Sequence, residues 1–163
     1  MKLGIVADTH DNLPAIGAAM DRFLAAQVEA VLHAGDFISP FALMRLLQTR
    51  IPFYAVFGNN DGERAGLTKL LPDLAEGPRH LELGGKKICL VHDWSHVGRD
   101  HLESADIVVC GHTHEPRVEH REGVLIVNPG EGGGWLSGRC TVAILDTERL
   151  DADIEEVYQQ ARS

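Results

Sequence analysis

Two pairs of residues in this 163-residue chain share a skip-one spacing, Asp8-Thr9-His10 and His112-Thr113-His114. On an extended backbone, residues two apart point to the same side. Each pair can therefore aim two donor atoms at one point, as metal ligands must. Asp36, Asn59 and His92 carry the same kinds of donor, and all seven residues sit at or just past the C-terminal end of an apolar run. One Asp or His at a strand end is ordinarily a cap or a hydrogen-bonded core group. Seven of them at five strand ends make a metal centre the better reading. The set mixes oxygen and nitrogen and contains no thiolate. It suits Mn²⁺, Fe, Ni²⁺ or Zn²⁺ better than Ca²⁺ or a structural zinc. Seven donors are too many for one ion and suit two that share a carboxylate.

The elements that must position these residues follow from the hydrophobic pattern. Residues 2–7 read as a buried strand. A helix begins at Asn12-Leu13-Pro14, with Asp11 or Asn12 as its cap. Leu13, Ile16, Met20, Phe23, Leu24 and Val28 give it one apolar face. Ala30–Ala34 is a second strand, and a helix capped by Ser39-Pro40 follows, with Phe41, Met44, Leu46 and Leu47 as its apolar residues. Pro52–Phe57 is a third strand. Alternation of strand and helix predicts parallel pairing with right-handed crossovers. Residues 62–79 read as a short helix and loop that turn Leu67, Leu70, Leu71 and Leu74 inward. Beyond them the pattern becomes a meander of short strands, at 80–83, 87–91, 107–110, 117–120 and 124–127, with one helix over 97–104. Residues 140–145 form a late strand, and 151–160 are read as an edge strand.

Composition sets the bounds. The length suits one domain, taken as residues 1–163, and 44% hydrophobic residues suffice for a core without disulfide staples. A net charge of −9 disfavours long nucleic acid as a partner. Cys89, Cys110 and Cys140 form no paired motif and are expected as buried, reduced thiols. The first apolar run is too short for a signal peptide, and no run reaches membrane-spanning length, so a cytoplasmic location without membrane attachment is expected.

Taken in order, Asp8-Thr9-His10, Gly35-Asp36, Gly58-Asn59-Asn60-Asp61, His92 and Gly111-His112-Thr113-His114 resemble the calcineurin-like metallophosphoesterase superfamily. The short chain and Asn128-Pro129-Gly130 are similar to its small branch, the single-domain bacterial and archaeal phosphodiesterases related to the retromer subunit of eukaryotes. The resemblance spans residues 1–146. It implies an α/β fold, a four-layer αββα sandwich with two central mixed β-sheets. It assigns Asp8, His10 and His114 to a first ion, Asn59, His92 and His112 to a second, and Asp36 to both. Two divalent cations, Mn²⁺ foremost, and a bridging hydroxide as nucleophile are implied. The implied activity is hydrolysis of a small phosphate ester, most often a diester, with Asp36 and Asn60 as catalytic residues and a homo-oligomer within the range of its relatives. A phosphomonoesterase and a retromer-like protein-binding scaffold are the alternatives. Scaffolds tend to lose ligands, whereas every ligand position here holds a competent side chain.

Several positions depart from the family pattern or stand beside it. Asn60 occupies a position that usually holds His, or Cys in small members. Asn cannot serve as a proton donor in the same way, although it can donate a hydrogen bond to a phosphoryl oxygen. After His92, many relatives continue Gly-His, where this chain has Asp93-Trp94-Ser95-His96. Asp93 is read either as orienting a ligand or as capping the turn. His96 and His101 are expected at the surface, and His33 buried against backbone. Asp61 is expected to brace the Asn59 loop through backbone N–H groups. Glu131 stands where small relatives commonly have Ser. It opens a glycine-rich loop that either shapes substrate access, with Trp135 stacking on a base or aryl group, or is a plain flexible turn. Arg139 is read as contacting phosphate or pairing with Glu131.

Overall fold

In the computed structural model, which describes residues 1–159, two five-stranded sheets lie between helices. The first sheet holds β1 (Lys2–Val6), β2 (Ala30–His33), β3 (Phe53–Ala55), β9 (Arg139–Asp146) and β10 (Asp151–Gln159), in the order β10-β9-β1-β2-β3. The second holds β4 (Arg79–Leu83), β5 (Lys86–Leu90), β6 (Ile107–Val109), β7 (Arg117–Arg121) and β8 (Val124–Asn128), in the order β4-β5-β6-β8-β7. Both sheets are mixed. β1, β2 and β3 run parallel, as do β5, β6 and β8, while β9 and β10 in the first sheet and β4 and β7 in the second pair antiparallel with their neighbours. Residues 160–163, which end the expected last strand and the expected domain, lie outside the described residues.

The layering follows from the period of two along each strand. Leu3 and Ile5 of β1 face the second sheet and pack with Leu32, Ile88, Leu90, Ile107, Val109 and Leu125. Val6, one residue out of step, faces the other way. It packs with Ile16, Met20 and Phe23 of α1 (Leu13–Ala26), Leu43 and Leu46 of α2 (Pro40–Leu47) and Leu67 of α3 (Arg64–Leu70). On the far side of the second sheet, Cys89, Val91, Val108 and Ile126 pack against Trp94, Val97 and Leu102, the last from α4 (Arg99–Ser104). Three apolar clusters thus fill the three spaces between four layers. Fully burying side chains of the size of Phe23, Ile5 or Leu90 contributes about 1.5–3 kcal/mol each.

Some residues assigned to the helix faces lie elsewhere. Leu13, Leu24, Phe41 and Met44 are exposed, Phe41 by 74%. Leu13 and Leu24 fall off the stripe formed by Ala15, Ile16, Ala19, Met20 and Phe23. In α2 apolar residues occur nearly all round the helix, so periodicity does not choose a face. Packing on the sheet does, and it selects Ala42, Leu43 and Leu46. Among the described residues, no helix is long and apolar enough to cross a membrane.

All three cysteines are buried and unpaired. Burial pushes Cys89 and Cys140 up to about 11 and Cys110 to about 12. The thiolate is the reactive form, so Ellman's reagent at pH 8 should label none of the three in native protein and all three once the chain is unfolded. Rapid labelling of the native protein would contradict this packing.

Candidate metal centre

The C-terminal ends of the parallel strands bring loops from both sheets to one rim, where ligands bind in open α/β sheets. The backbone there is unusual. Asp8, His10, Asp36, His112 and His114 all have positive φ, between 41° and 69°. Left-handed backbone costs a non-glycine residue about 1–2 kcal/mol, although Asp and His tolerate it better than most. The surroundings hold it in place. Asp8 N–H donates to Gly35 O (3.0 Å), and His10 N–H to Asp36 O (3.1 Å). Gly111 N–H donates to His92 O (2.9 Å), and His112 N–H to Asp8 Oδ2 (3.0 Å). The last bond ties the first sheet's loop to the second's.

All seven residues predicted from the sequence meet here. Ligand-type atoms of Asp8, His10 and His114 lie within 4.8 Å of one another, as do those of Asp8, Asp36 and His92. Asp36 Oδ2 stands between the two halves, 3.4 Å from His10 Nε2 and 3.7 Å from His92 Nε2. Asn59 Oδ1 completes the second half, 2.8 Å from His92 Nε2 and 3.0 Å from His112 Nδ1. Asp8 and Asp36 are fully buried. Burial, and then the Asp36 carboxylate, push Asp8 up to about 8, and burial lowers His10. Asp8 Oδ1, His10 Nε2 and His114 Nδ1 are buried and have no hydrogen-bond partner among the described residues. Of these, Asp8 Oδ1 and His10 Nε2 are the kind of buried, orphaned oxygen and nitrogen donors that a divalent cation would satisfy, so the residues present fit the ions.

A second tier holds the donors. Asp61 accepts N–H bonds from Asp36 (3.0 Å), Ile38 (2.8 Å) and Gly58 (2.7 Å), which is the bracing expected of it. Asn60 donates from its backbone to Asp36 Oδ1 (2.8 Å) and from its amide to Asp36 Oδ2 (2.7 Å), so it fixes the Asp36 carboxylate. His33 is buried. Gly35 N–H can only donate to Nδ1 (3.1 Å), so Nε2 carries the proton and donates to Thr9 Oγ1 (3.2 Å). Asp93 caps the Trp94–His96 turn through Ser95 N–H (2.8 Å) and also lies 3.8 Å from His112 Nε2. His96 is exposed, while His101 is half-buried and accepts from Gly98 N–H (3.0 Å).

The glycine-rich loop is neither a free turn nor simply a wall for substrate. It clamps the Asp8–His10 strand end. Gly132 N–H donates to Ala7 O (2.9 Å), Gly133 N–H to Asp8 O (2.8 Å), and Asn12 Nδ2 to Gly133 O (2.6 Å). Trp135, 59% exposed, donates its indole N–H to His10 O (2.9 Å). Side chains at 132 and 133 are excluded by this approach, because an added Cβ would stand 2.6 Å from Ala7 O and 2.8 Å from Thr9 O. Arg139 pairs with Glu156 (2.5 Å), not with Glu131, because β10 lies beside it. Two supports went unrecognised in the sequence. Asn128 donates to Gly111 O (2.9 Å) and Thr113 Oγ1 (3.1 Å), and Glu131 is buried beside His114. The signal for Asn128 was a polar residue ending a wholly apolar strand.

A cavity of about 270 Å³ opens beside the second half of the centre, walled by Asn59, His92 and His112 with Phe57, Arg64 and His96. A larger hollow of about 380 Å³ between Arg99, Leu102, Arg121 and Val124 lies away from these donors.

The chain is similar to known proteins. Residues 1–150 match the calcineurin-like phosphoesterase superfamily domain. A phosphodiesterase of Methanocaldococcus jannaschii is 39% identical over 162 residues, covering 93% of this chain and 96% of the relative. A solved archaeal phosphodiesterase superposes with a TM-score of 0.85 at 36% identity, over 96% of this chain and 99% of that one. Vps29 of Entamoeba histolytica shares the fold at 18% identity, with a TM-score of 0.68 over 97% of this chain and 100% of its own. With its domain match running through both sheets and all seven donor positions, the chain belongs to the calcineurin-like phosphoesterase superfamily.

Proposed function

We propose that the protein is a metal-dependent phosphodiesterase that hydrolyses a small phosphate ester at a two-metal centre. The observation that carries this reading is the convergence of seven oxygen and nitrogen donors on one rim, with Asp8 Oδ1 and His10 Nε2 buried and orphaned among them. Asp8, His10 and His114 would hold one ion, Asn59, His92 and His112 the other, with Asp36 shared. Mn²⁺ is the proposed metal. When bound, two divalent cations draw charge off phosphoryl oxygens and lower the pKa of bound water.

The chain's own residues do the rest. Asp36 keeps its carboxylate between the two halves, held by Asn60 and by the Asp61 brace on its backbone. The second-ion side faces the 270 Å³ cavity, which gives the retained part of a small ester a place beside the reacting phosphorus. The net charge of −9 disfavours a long polyanion. A single domain over 1–163 and a cytoplasmic location complete the proposal.

The test is hydrolysis of bis-aryl phosphate, mono-aryl phosphate and cyclic dinucleotides by purified protein, with Mn²⁺ and with chelator. Metal-dependent turnover that favours the diester supports the reading. Preference for the monoester would move it to a phosphomonoesterase. Metal binding without turnover of any substrate would favour a scaffold.

Asn60 sets a second expectation. An amide cannot protonate a leaving group as an acid does, so leaving groups of low pKa are favoured. Asn60→His should raise turnover of alkyl or phenyl esters more than that of nitrophenyl esters. An equal change in both would sink this account.

A further inference from the structure

Glu131 is 1% exposed and lies at the start of the clamp loop. One face of its carboxylate is occupied: Oε1 accepts from Leu136 N–H (2.8 Å), and Oε2 accepts from Ser137 N–H (2.8 Å) and Ser137 Oγ–H (2.6 Å). The other face looks at His114, whose Nδ1 is 3.5 Å from Oε1. That Nδ1 is buried and has no hydrogen-bond partner among the described residues. The same imidazole turns Nε2 toward Asp8 Oδ1, at 3.5 Å. Asp8 Oδ1 is itself orphaned. His114 is therefore flanked by carboxylates on its two nitrogens, one in the donor cluster and one behind it.

We propose that Glu131 is a positioning residue for the first-ion half of the centre: it holds His114 with the proton on Nδ1 and the lone pair of Nε2 directed to the ion beside Asp8. The inference rests on the two-metal reading above. The physical argument is general. A ligating imidazole must present an unprotonated nitrogen, and its other nitrogen must keep the proton. A carboxylate behind that N–H fixes both the tautomer and the ring angle, and losing such a partner typically costs 10–100-fold in metal affinity. The anchoring N–H groups of Leu136 and Ser137 leave the Glu131 side chain little freedom to rotate away. The same loop reaches a second residue of the first-ion half, since Trp135 donates to the His10 backbone carbonyl. A Ser at this position would have neither the reach nor the charge to serve His114.

The test uses full-length protein and Mn²⁺ titration calorimetry on wild type, Glu131→Gln, Glu131→Ala and Ser137→Ala. Wild type should bind two ions. Glu131→Ala should lose about 10–100-fold in affinity for one of them, Glu131→Gln less, and Ser137→Ala almost nothing, because it disturbs the loop brace but not His114. Long-range ¹H–¹⁵N spectra of chelated protein give a readout that a purely structural role would not move: His114 should be Nδ1-protonated in wild type and should shift toward the other tautomer in Glu131→Ala. If that variant does not fold, Glu131→Gln carries the comparison. Two ions bound with wild-type affinity in both Glu131 variants, or an unchanged tautomer, would overturn this proposal alone. No Mn²⁺ binding by wild type would overturn it together with the metal reading.

Discussion

Asp36→Asn is expected to lower Mn²⁺-dependent diester hydrolysis about a thousandfold, on the basis of several kcal/mol of charge stabilisation lost between two cations. Asp36 Oδ2 lies within 4 Å of both His10 Nε2 and His92 Nε2, and Asn60 grips both of its oxygens. The amide would keep the shape and lose the charge. Bound Mn²⁺ should fall from two ions to one, measured by titration on the same samples. The substitution should act oppositely on the chelated protein. There Asp8 is pushed to about 8, by burial first and by Asp36 second, from an ordinary 3.8. A carboxyl whose folded pKa is raised stabilises the fold when protonated. Its contribution is complete below about 4 and is lost as pH rises through about 8. Below about 6.5 the lowered pKa values of buried His10 and His33 work in the opposite direction, so chelated wild type should lose thermal stability from about pH 6.5 to about 8, and Asp36→Asn should flatten that slope. Activity above a tenth of wild type, or an unaltered slope, would count against the shared-carboxylate role.

Gly58→Ala should be nearly as damaging, although it removes no functional group. A Cβ at 58 would stand 2.0 Å from Asp36 Oδ1 and 2.4 Å from Asp36 N. Either Asp36 or the Gly58–Asp61 turn must move, and both hold the second half of the centre. Overpacking of this kind typically costs 1–3 kcal/mol, so thermal melting should show a lowered midpoint. The larger effect should be on the site: loss of the second Mn²⁺ and about a hundredfold or greater loss of turnover, since 1.4 kcal/mol of lost transition-state binding is already tenfold. A variant that melts lower but binds two ions normally would show that the close approach serves packing only.

How much of this was legible in the sequence depends on the range of each interaction. The positions of the candidate donors were legible because each lies one to four residues past an apolar run, so the strand that positions it is written next to it. The parallel order of β1, β2 and β3 was legible from strand–helix alternation. The exposed face of α2 was not, since a helix apolar nearly all round does not say which side the sheet takes. The clamp was hidden for a different reason. Asn12 reaches Gly133 across 121 positions, and Trp135 reaches His10 across 125. No local pattern marks such pairs. The glycine run was visible, but its cause, backbone pressed on backbone, appears only when the two loops meet. The same holds for Glu131, whose partner His114 comes from another strand end. The left-handed backbone at five of the seven donor positions had no signal beyond residue types that tolerate it.

The most direct test of the two-metal centre is anomalous diffraction from crystals of the wild-type protein grown with Mn²⁺. Two anomalous peaks per chain are expected, one among Asp8, His10 and His114 and one among Asn59, His92 and His112, with Asp36 reaching both. A single peak, or peaks away from these side chains in a protein that is active with Mn²⁺, would contradict the account.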